Sequence, residues 1–577
     1  LPSGNSANLE KSIMKSNPFS NLAGRKLAAL LLLVALFTSP VFGQATAVAP
    51  KPAATLSNAE KEAAARVKVE TIKEVTTALS AKEMEGRGTA QAGGDRAAKY
   101  IADRFAKLGL KPLGDAGSFL QAIKFSSSQP LTDSSFKVGD ASLKFGTEFI
   151  PAPPYMSELS EANAQLVFVT YGVVSPELKR DDLAGLDVKG KIVVMLSGRP
   201  KNADEDAWKK AANQQAIGIN LIGRGAAALV VANVGSKQQP FSLIGMYLSR
   251  RRVALGDAPA MPFKIPPIIL ASNEGMEKLF AGTGLTYAEA LARAENGEMV
   301  SRDLNKQASI SVKVKKEAGT GSNVVGLLEG SDPKLKDQAV VYSAHYDAYG
   351  IDSEGRIFPG AADNALGVAE IMAMAEAFTK SPVKPRRSVI FLAVTGEEHG
   401  LLGSEHWVAH PTWPLEKVAA DLNFDGIGTE VYAPVKSVVG FGAEHSDLGP
   451  VLEAVVMANG GQMAPDPLPE EGIFYRSDHY AFVKKGVPAL MLLGGPEGDV
   501  KPWIARAQKW METDYHQPGD IIRPDWNWDG ARTVAVIGLI TGLRVANAEA
   551  MPVWLQTSPF NKPRSAAKAA TAATPGN

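Results

Sequence analysis

Between residues 339 and 494 the chain returns repeatedly to short, near-continuous apolar runs: "AVVYSA", "SVIFLAV", "AADLNF", "SVVGF" and "PALMLL". A strand that is apolar on both faces has to be covered on both faces, which is the condition of a mostly parallel sheet enclosed by helices. The stretches between the runs meet that demand. "NALGVAEIMAMAEAFTK" and "LGPVLEAVVMANG" read as helices, and a last one is expected from about Asp529 to Ala548. The fold class expected for this region is therefore α/β, a mostly parallel central sheet flanked by helices.

Upstream the texture differs. Residues from Asn58 to about Ser80 read as helical, and "GGDRAAKYIADRFAKLGLKP" places Ile101, Phe105 and Leu108 on one face with Gly109 as the stop. Between about residues 155 and 300, "AQLVFVTYG", "GKIVVMLSG" and "GAAALVVANV" are β-like runs set among Gly, Pro and charged turns, the mark of an inserted β-rich domain. With 577 residues, two to four folding units are expected. The divisions drawn are residues 58–150 and 311–550 for the principal domain, 151–310 for the insertion, a Pro/Ala linker at 44–57, and a low-complexity disordered tail at 551–577.

Residues 1–43 hold "NLAGRKLAALLLLVALFTSPVFGQA", with the basic, apolar and small-residue regions of a secretory signal and a cut near Gly43, which makes Met14 the expected start. Its apolar core, Leu27 to Phe37, is shorter than the roughly 20 residues that span a bilayer, so an exported chain, periplasmic or extracellular, is expected without stable membrane insertion, a signal kept as an anchor being the alternative. The chain has no cysteine, which excludes disulfides and thiolate-held zinc. Lys plus Arg and Asp plus Glu both number 61, so no basic excess argues for nucleic acid.

The residues with chemistry to offer stand directly behind the apolar runs. His345 and Asp347 come after "AVVYSA", Glu397 and Glu398 after "SVIFLAV", and Asp425 after "AADLNF". In open α/β sheets the ligand site lies beyond the carboxyl ends of the strands, so these groups are expected to converge, with Asp363 of "GAADNALG" and His516 of "DYHQPGD" joining from loops. Taken singly, a His after a strand is more often structural, and a Glu pair suits a helix start. The conjunction is what points to metal, because all seven histidines lie between residues 345 and 516 and the carboxylates come after separate strands. Such a nitrogen and oxygen donor set suits divalent ions, zinc foremost, and its charge suits two of them.

The segments "SAHYDAYG", "PGAADNALGVAEIM", "VTGEEHGLLGS", "NFDGIG", "YRSDHYAF" and "YHQPGD", in this order, resemble the co-catalytic dizinc aminopeptidase family, relatives of glutamate carboxypeptidase and transferrin receptor. The resemblance covers about residues 65–150 and 320–550. The insertion, with "LVFVTYGVVSPELKRDDLAGLDVKGKIVVML", resembles a protease-associated domain. The implied fold is of the zinc exopeptidase type. Two Zn2+ per chain are implied, one on His345, Asp363 and Asp425, the other on Asp363, Glu398 and His516, with Asp363 bridging. Asp347 matches a carboxylate that orients His345, Glu397 the general base, Tyr515 a donor to the tetrahedral oxygen, and Arg476 a substrate-placing residue. The peptide bond after Asp363 is implied to be cis. Leu366 departs from the serine of the family's "DNxSG" pattern, at a position that binds no metal.

The activity implied is hydrolysis of N-terminal residues from peptides with a free N-terminus, by a dizinc-bound hydroxide with Glu397 as base. The alternatives are a carboxypeptidase or glutaminyl cyclase on the same scaffold, or a non-enzymatic binding protein. The sequence is silent on residue preference and on oligomeric state.

Overall fold

The computed structural model describes residues 53–155, 157–232, 240–257, 265–426, 428–432 and 434–564. The expected signal, and residues 565–577 of the expected tail, lie outside them. The parallel heart of the main sheet runs Ser388–Val394, Ala339–His345, Val418–Phe424 and Ala489–Gly494. Ser437–Phe441 continues it antiparallel on one side, and the carboxyl-terminal half of Arg302–Leu328 on the other. Within Ala339–His345, Val340, Tyr342 and Ala344 enter one core and Ala339 and Val341 another. Burial on both faces is why these strands carry no polar alternation.

Helices Val69–Leu79, Ala92–Lys107, Leu366–Thr379 and Trp528–Asn547 contribute to the first of these cores, and Leu402–Ala409 and His479–Lys484 to the second. Leu366–Thr379 is apolar almost all round, and it is buried almost all round. Leu366 itself is buried in the core, which accounts for an apolar residue at that position. Gly109 has φ 77, so the stop after Ala92–Lys107 falls where a left-handed residue was expected.

A further core surrounds Leu159–Phe168, Ile192–Leu196, Ala228–Ala232 and Ile268–Ala271, which are mutually parallel. Helices Gln214–Gly223, Asn273–Phe280 and Tyr287–Glu295 lie among them, so the insertion is mixed α/β where the sequence suggested mainly strands. This core also takes in Phe136, Val138, Leu143 and Phe149 at one end and Val312 and Val314 at the other, beyond the expected limits of 151 and 310. The strands Ser135–Val138 and Ala141–Leu143 are too short and too polar to register as apolar runs. The 27-residue strand Arg302–Leu328 joins the two parts: its first half pairs with Leu159–Phe168 and its second with Leu120–Pro130.

Two further expectations are corrected. Ser57, assigned to the linker, caps Asn58–Arg66 in a capping box with Glu60. Residues 551–564, assigned to the disordered tail, pack onto the fold: Trp554 Nε1 donates to the Gly486 carbonyl at 2.9 Å, and Arg564 reaches the carbonyls of Val418 and Ala419, each at 3.1 Å. Buried aromatic surface and a multiply bonded arginine outweigh a Pro-rich local composition. Among the described residues, no helix is long and apolar enough to cross a membrane.

Candidate metal centre

The chain passes from Ala339–His345 to Ser388–Val394 on one side, then back across to Val418–Phe424 on the other. The carboxyl ends of these three strands thus frame a topological switch point, where a crevice opens. His345 ends the first strand, Glu397 and Glu398 occupy a tight turn after the second, and Asp425 comes directly after the third. Asp363 enters from the turn ahead of Leu366–Thr379, and His516 from the loop between Val500–Thr513 and Trp528–Asn547.

His345 Nε2 lies 3.3 Å from Asp363 Oδ1 and 3.2 Å from Asp425 Oδ1. His516 Nε2 lies 3.4 Å from the other Asp363 oxygen and 2.9 Å from Glu398 Oε2. Two triads result, His345, Asp363, Asp425 and Asp363, Glu398, His516, each with its donor atoms within 4.8 Å of one another. They share Asp363, one oxygen facing each histidine. Glu397 belongs to neither, and its Oε2 is 3.9 Å from His345 Nε2.

The electrostatics match a centre that needs positive charge. Burial lowers the proton affinity of His345, yet Asp425 and Glu397 hold it well above the usual imidazole range; Glu398 and Asp363 raise His516 against the same burial. Burial pushes Asp363 up, but its hydrogen bonds to both histidines prevail and hold it below the usual carboxylate range. Glu398 is raised by burial, and its Oε2 makes no hydrogen bond despite lying against His516. Imidazole nitrogens and carboxylate oxygens that converge in this way are a donor set suited to zinc.

Surrounding contacts fix the donors. Asp520 accepts from the main-chain N–H of Ala362 at 2.8 Å and of Asp363 at 2.9 Å. Asn364 Nδ2 donates to the Phe424 carbonyl at 2.8 Å, and the Asp363–Asn364 peptide bond is cis. Arg87, fully buried, donates to the carbonyls of Pro359 and Gly360 at 2.6 and 2.7 Å. Asp347 faces His345 Nδ1 with both its carboxylate and its main chain. Its carboxylate is 3.7 Å from His345 Nδ1 and also accepts from the Glu397 N–H at 3.2 Å and the Thr89 hydroxyl at 3.1 Å; the Asp347 main-chain carbonyl is 3.1 Å from Nδ1.

The triads open onto a cleft of about 590 Å3, whose lining includes Glu397, Arg476 and Tyr515 beside the apolar side chains Leu468, Ile473, Met491, Trp510 and Met511. Arg476 Nη2 donates to Tyr515 Oη at 3.1 Å. The Tyr515 ring stacks on His516 with centroids 3.6 Å apart. All nine residues singled out in the sequence are thus gathered at one locus. Missing from the sequence reading were Tyr349, whose Oη is 3.1 Å from His516 Nδ1, Asp520, Arg87 and Thr89. Tyr349 lies within "SAHYDAYG" and Asp520 within "YHQPGD", so the motifs that carry the triad residues also carry a signal for these two. Arg87 and Thr89, in "EGRGTA", carry no local signal.

Residues 323–539 match peptidase family M28. The probable leucine aminopeptidase 2 of Aspergillus oryzae is 30% identical over 261 residues, covering 43% of this chain and 48% of that protein. Leucine aminopeptidase 2 of Trichophyton rubrum is 32% identical over 215 residues, 36% of this chain and 41% of that one. The chain thus spans about half the length, or less, of these relatives. Among solved structures, the aminopeptidase from Aneurinibacillus sp. strain AM-1 superposes with a TM-score of 0.56 at 19% identity, over 85% of this chain and 97% of that chain. BSAP, a zinc aminopeptidase from Bacillus subtilis, gives 0.50 at 19% identity over 82% and 94%. At such identity these structures establish the α/β fold.

Proposed function

This chain carries a peptidase family M28 domain at residues 323–539, and from that premise we propose that it is a zinc-dependent aminopeptidase that hydrolyses N-terminal residues from peptides. The observation that carries this reading is the pair of triads sharing Asp363, with one buried carboxylate, Glu397, beside them and outside both.

His345, Asp363 and Asp425, and Asp363, Glu398 and His516, would hold zinc, which would supply Lewis acidity to a substrate carbonyl and to water. Glu397 takes the proton of the attacking water and passes it to the departing amine. Burial, with Asp425, Asp478 and Glu398 adding to it against the pull of His345, pushes the Glu397 carboxyl well above its usual range. Tyr515 donates to the developing oxyanion. Arg476 can only donate, so it occupies the Tyr515 oxygen and leaves the phenolic hydrogen for the cleft.

The excess of carboxylates accommodates the free α-amine of a peptide, and the wall of Leu468, Ile473, Met491, Trp510 and Met511 suits an apolar N-terminal side chain. That agrees with relatives called leucine aminopeptidases. A complete second triad favours this reading over a one-zinc cyclase. The insertion is proposed as a protease-associated domain, and the leader-like segment before Gly43 supports an exported enzyme. The test is a panel of aminoacyl anilides and their N-blocked counterparts with the zinc-loaded protein. Cleavage confined to free amines supports the proposal, and cleavage of blocked substrates contradicts it.

A further inference from the structure

Residues 240–257 leave the inserted domain between two of its neighbouring parallel strands, Ala228–Ala232 and Ile268–Ala271. They form the helix Phe241–Leu248 and the strand Arg252–Leu255, and the strand pairs antiparallel with Leu120–Pro130, Arg252 opposite Ser128 and Leu255 opposite Phe125. The excursion is therefore stitched to the sheet of the principal domain. Between its helix and strand lie Arg250 and Arg251, 3% and 6% exposed.

Arg250 Nη2 donates to the His516 main-chain carbonyl. Its guanidinium stacks 4.1 Å from the Tyr349 ring centroid and 4.5 Å from that of Phe358, with Tyr247 at 5.3 Å. Tyr349 in turn sets its hydroxyl 3.1 Å from His516 Nδ1. Arg251 donates to the carbonyl of Thr89, the residue whose hydroxyl holds Asp347. Burying a guanidinium is unfavourable unless its charge and donors are used, and Nε and Nη1 of Arg250 have no hydrogen-bond partner. Packing alone would be served better by an unbranched apolar side chain. His516 has φ 55, a left-handed conformation that a residue with a Cβ adopts at a cost, so its main chain needs holding.

We infer that Arg250, delivered by the inserted domain, is a positioning residue for His516. It clamps the main chain of that ligand and, by stacking on Tyr349, the partner of its ring. The inserted domain thereby braces the second triad. This inference rests on the proposed role of Asp363, Glu398 and His516 in holding zinc.

Stepwise zinc titration of the full chain against a competing chelator tests it. Arg250→Met keeps the stacking volume and removes the donor; it is expected to weaken the second zinc about 10- to 100-fold while leaving the first within about twofold. Arg250→Lys, which can still donate to the His516 carbonyl, should recover part of that loss, and Tyr349→Phe should weaken the same ion. Should Arg250→Met fail to fold, the other two variants carry the comparison. Wild-type affinity for both ions in Arg250→Met, or an equal loss at both with no recovery by lysine, overturns the inference. A wild-type chain that binds a single zinc would instead overturn the triad reading beneath it.

Discussion

Glu397 and Glu398 are adjacent in the chain, yet only one of them faces a histidine at contact distance. Glu398 Oε2 is 2.9 Å from His516 Nε2, whereas Glu397 Oε2 stands 3.9 Å from His345 Nε2. The tight turn Glu397–His399, entered through Gly396 at φ 79, points the two carboxylates at different histidines.

Glu398→Ala removes a donor from one triad and leaves His345, Asp363 and Asp425 complete. Metal analysis after dialysis is expected to find about one zinc fewer per chain than in the wild type. Undiminished zinc content would take Glu398 out of the ligand set.

Tyr515→Phe keeps the ring stacked on His516 and removes only the hydroxyl. The proposed oxyanion contact predicts a fall of about 100-fold in kcat with KM nearly unchanged. A change confined to KM would instead mark Tyr515 as part of the substrate wall.

Gly367 shows how the core disciplines the site. A Cβ there would lie 2.3 Å from Asn364 Oδ1 and 2.3 Å from the Phe424 carbonyl, the two groups that hold the turn after Asp363. Gly367→Ala is expected to lower stability by about 1–3 kcal/mol and to reduce zinc retention together with it. Thermal melting with and without zinc checks both effects.

His479 is fully buried, and burial pulls its imidazole down to about 3. A histidine depressed in the folded state is neutral there and binds fewer protons than in the unfolded chain. Its contribution is present above the unfolded value near 6.5 and is lost as pH falls toward 3. His479→Leu should therefore reduce the loss of stability between pH 6.5 and 3 by up to about 5 kcal/mol, as read from chelator-treated denaturation curves. Parallel curves for the two proteins would contradict this.

The legibility of the site tracked the sheet. His345, Glu397, Glu398 and Asp425 could be read because each comes at or just beyond an apolar run that becomes a strand buried on both faces. Asp363 and His516 lie on loops whose paths no local pattern describes, and only the ordered motifs tied them to the centre. Arg250, Arg87 and Asp520 act through main-chain carbonyls and amides far away in sequence, and such contacts leave no periodicity. The same reason hid Ser135–Val138 and the packed residues 551–564: their order comes from neighbours supplied by the rest of the chain.

Glu397→Ala separates a proton-transfer role for Glu397 from metal binding by its neighbour. Zinc content and hydrolysis of an aminoacyl anilide are measured on the same preparation. The expected result is wild-type zinc content with kcat lower by about three orders of magnitude. Wild-type turnover in that variant, or loss of zinc in step with activity, would contradict it.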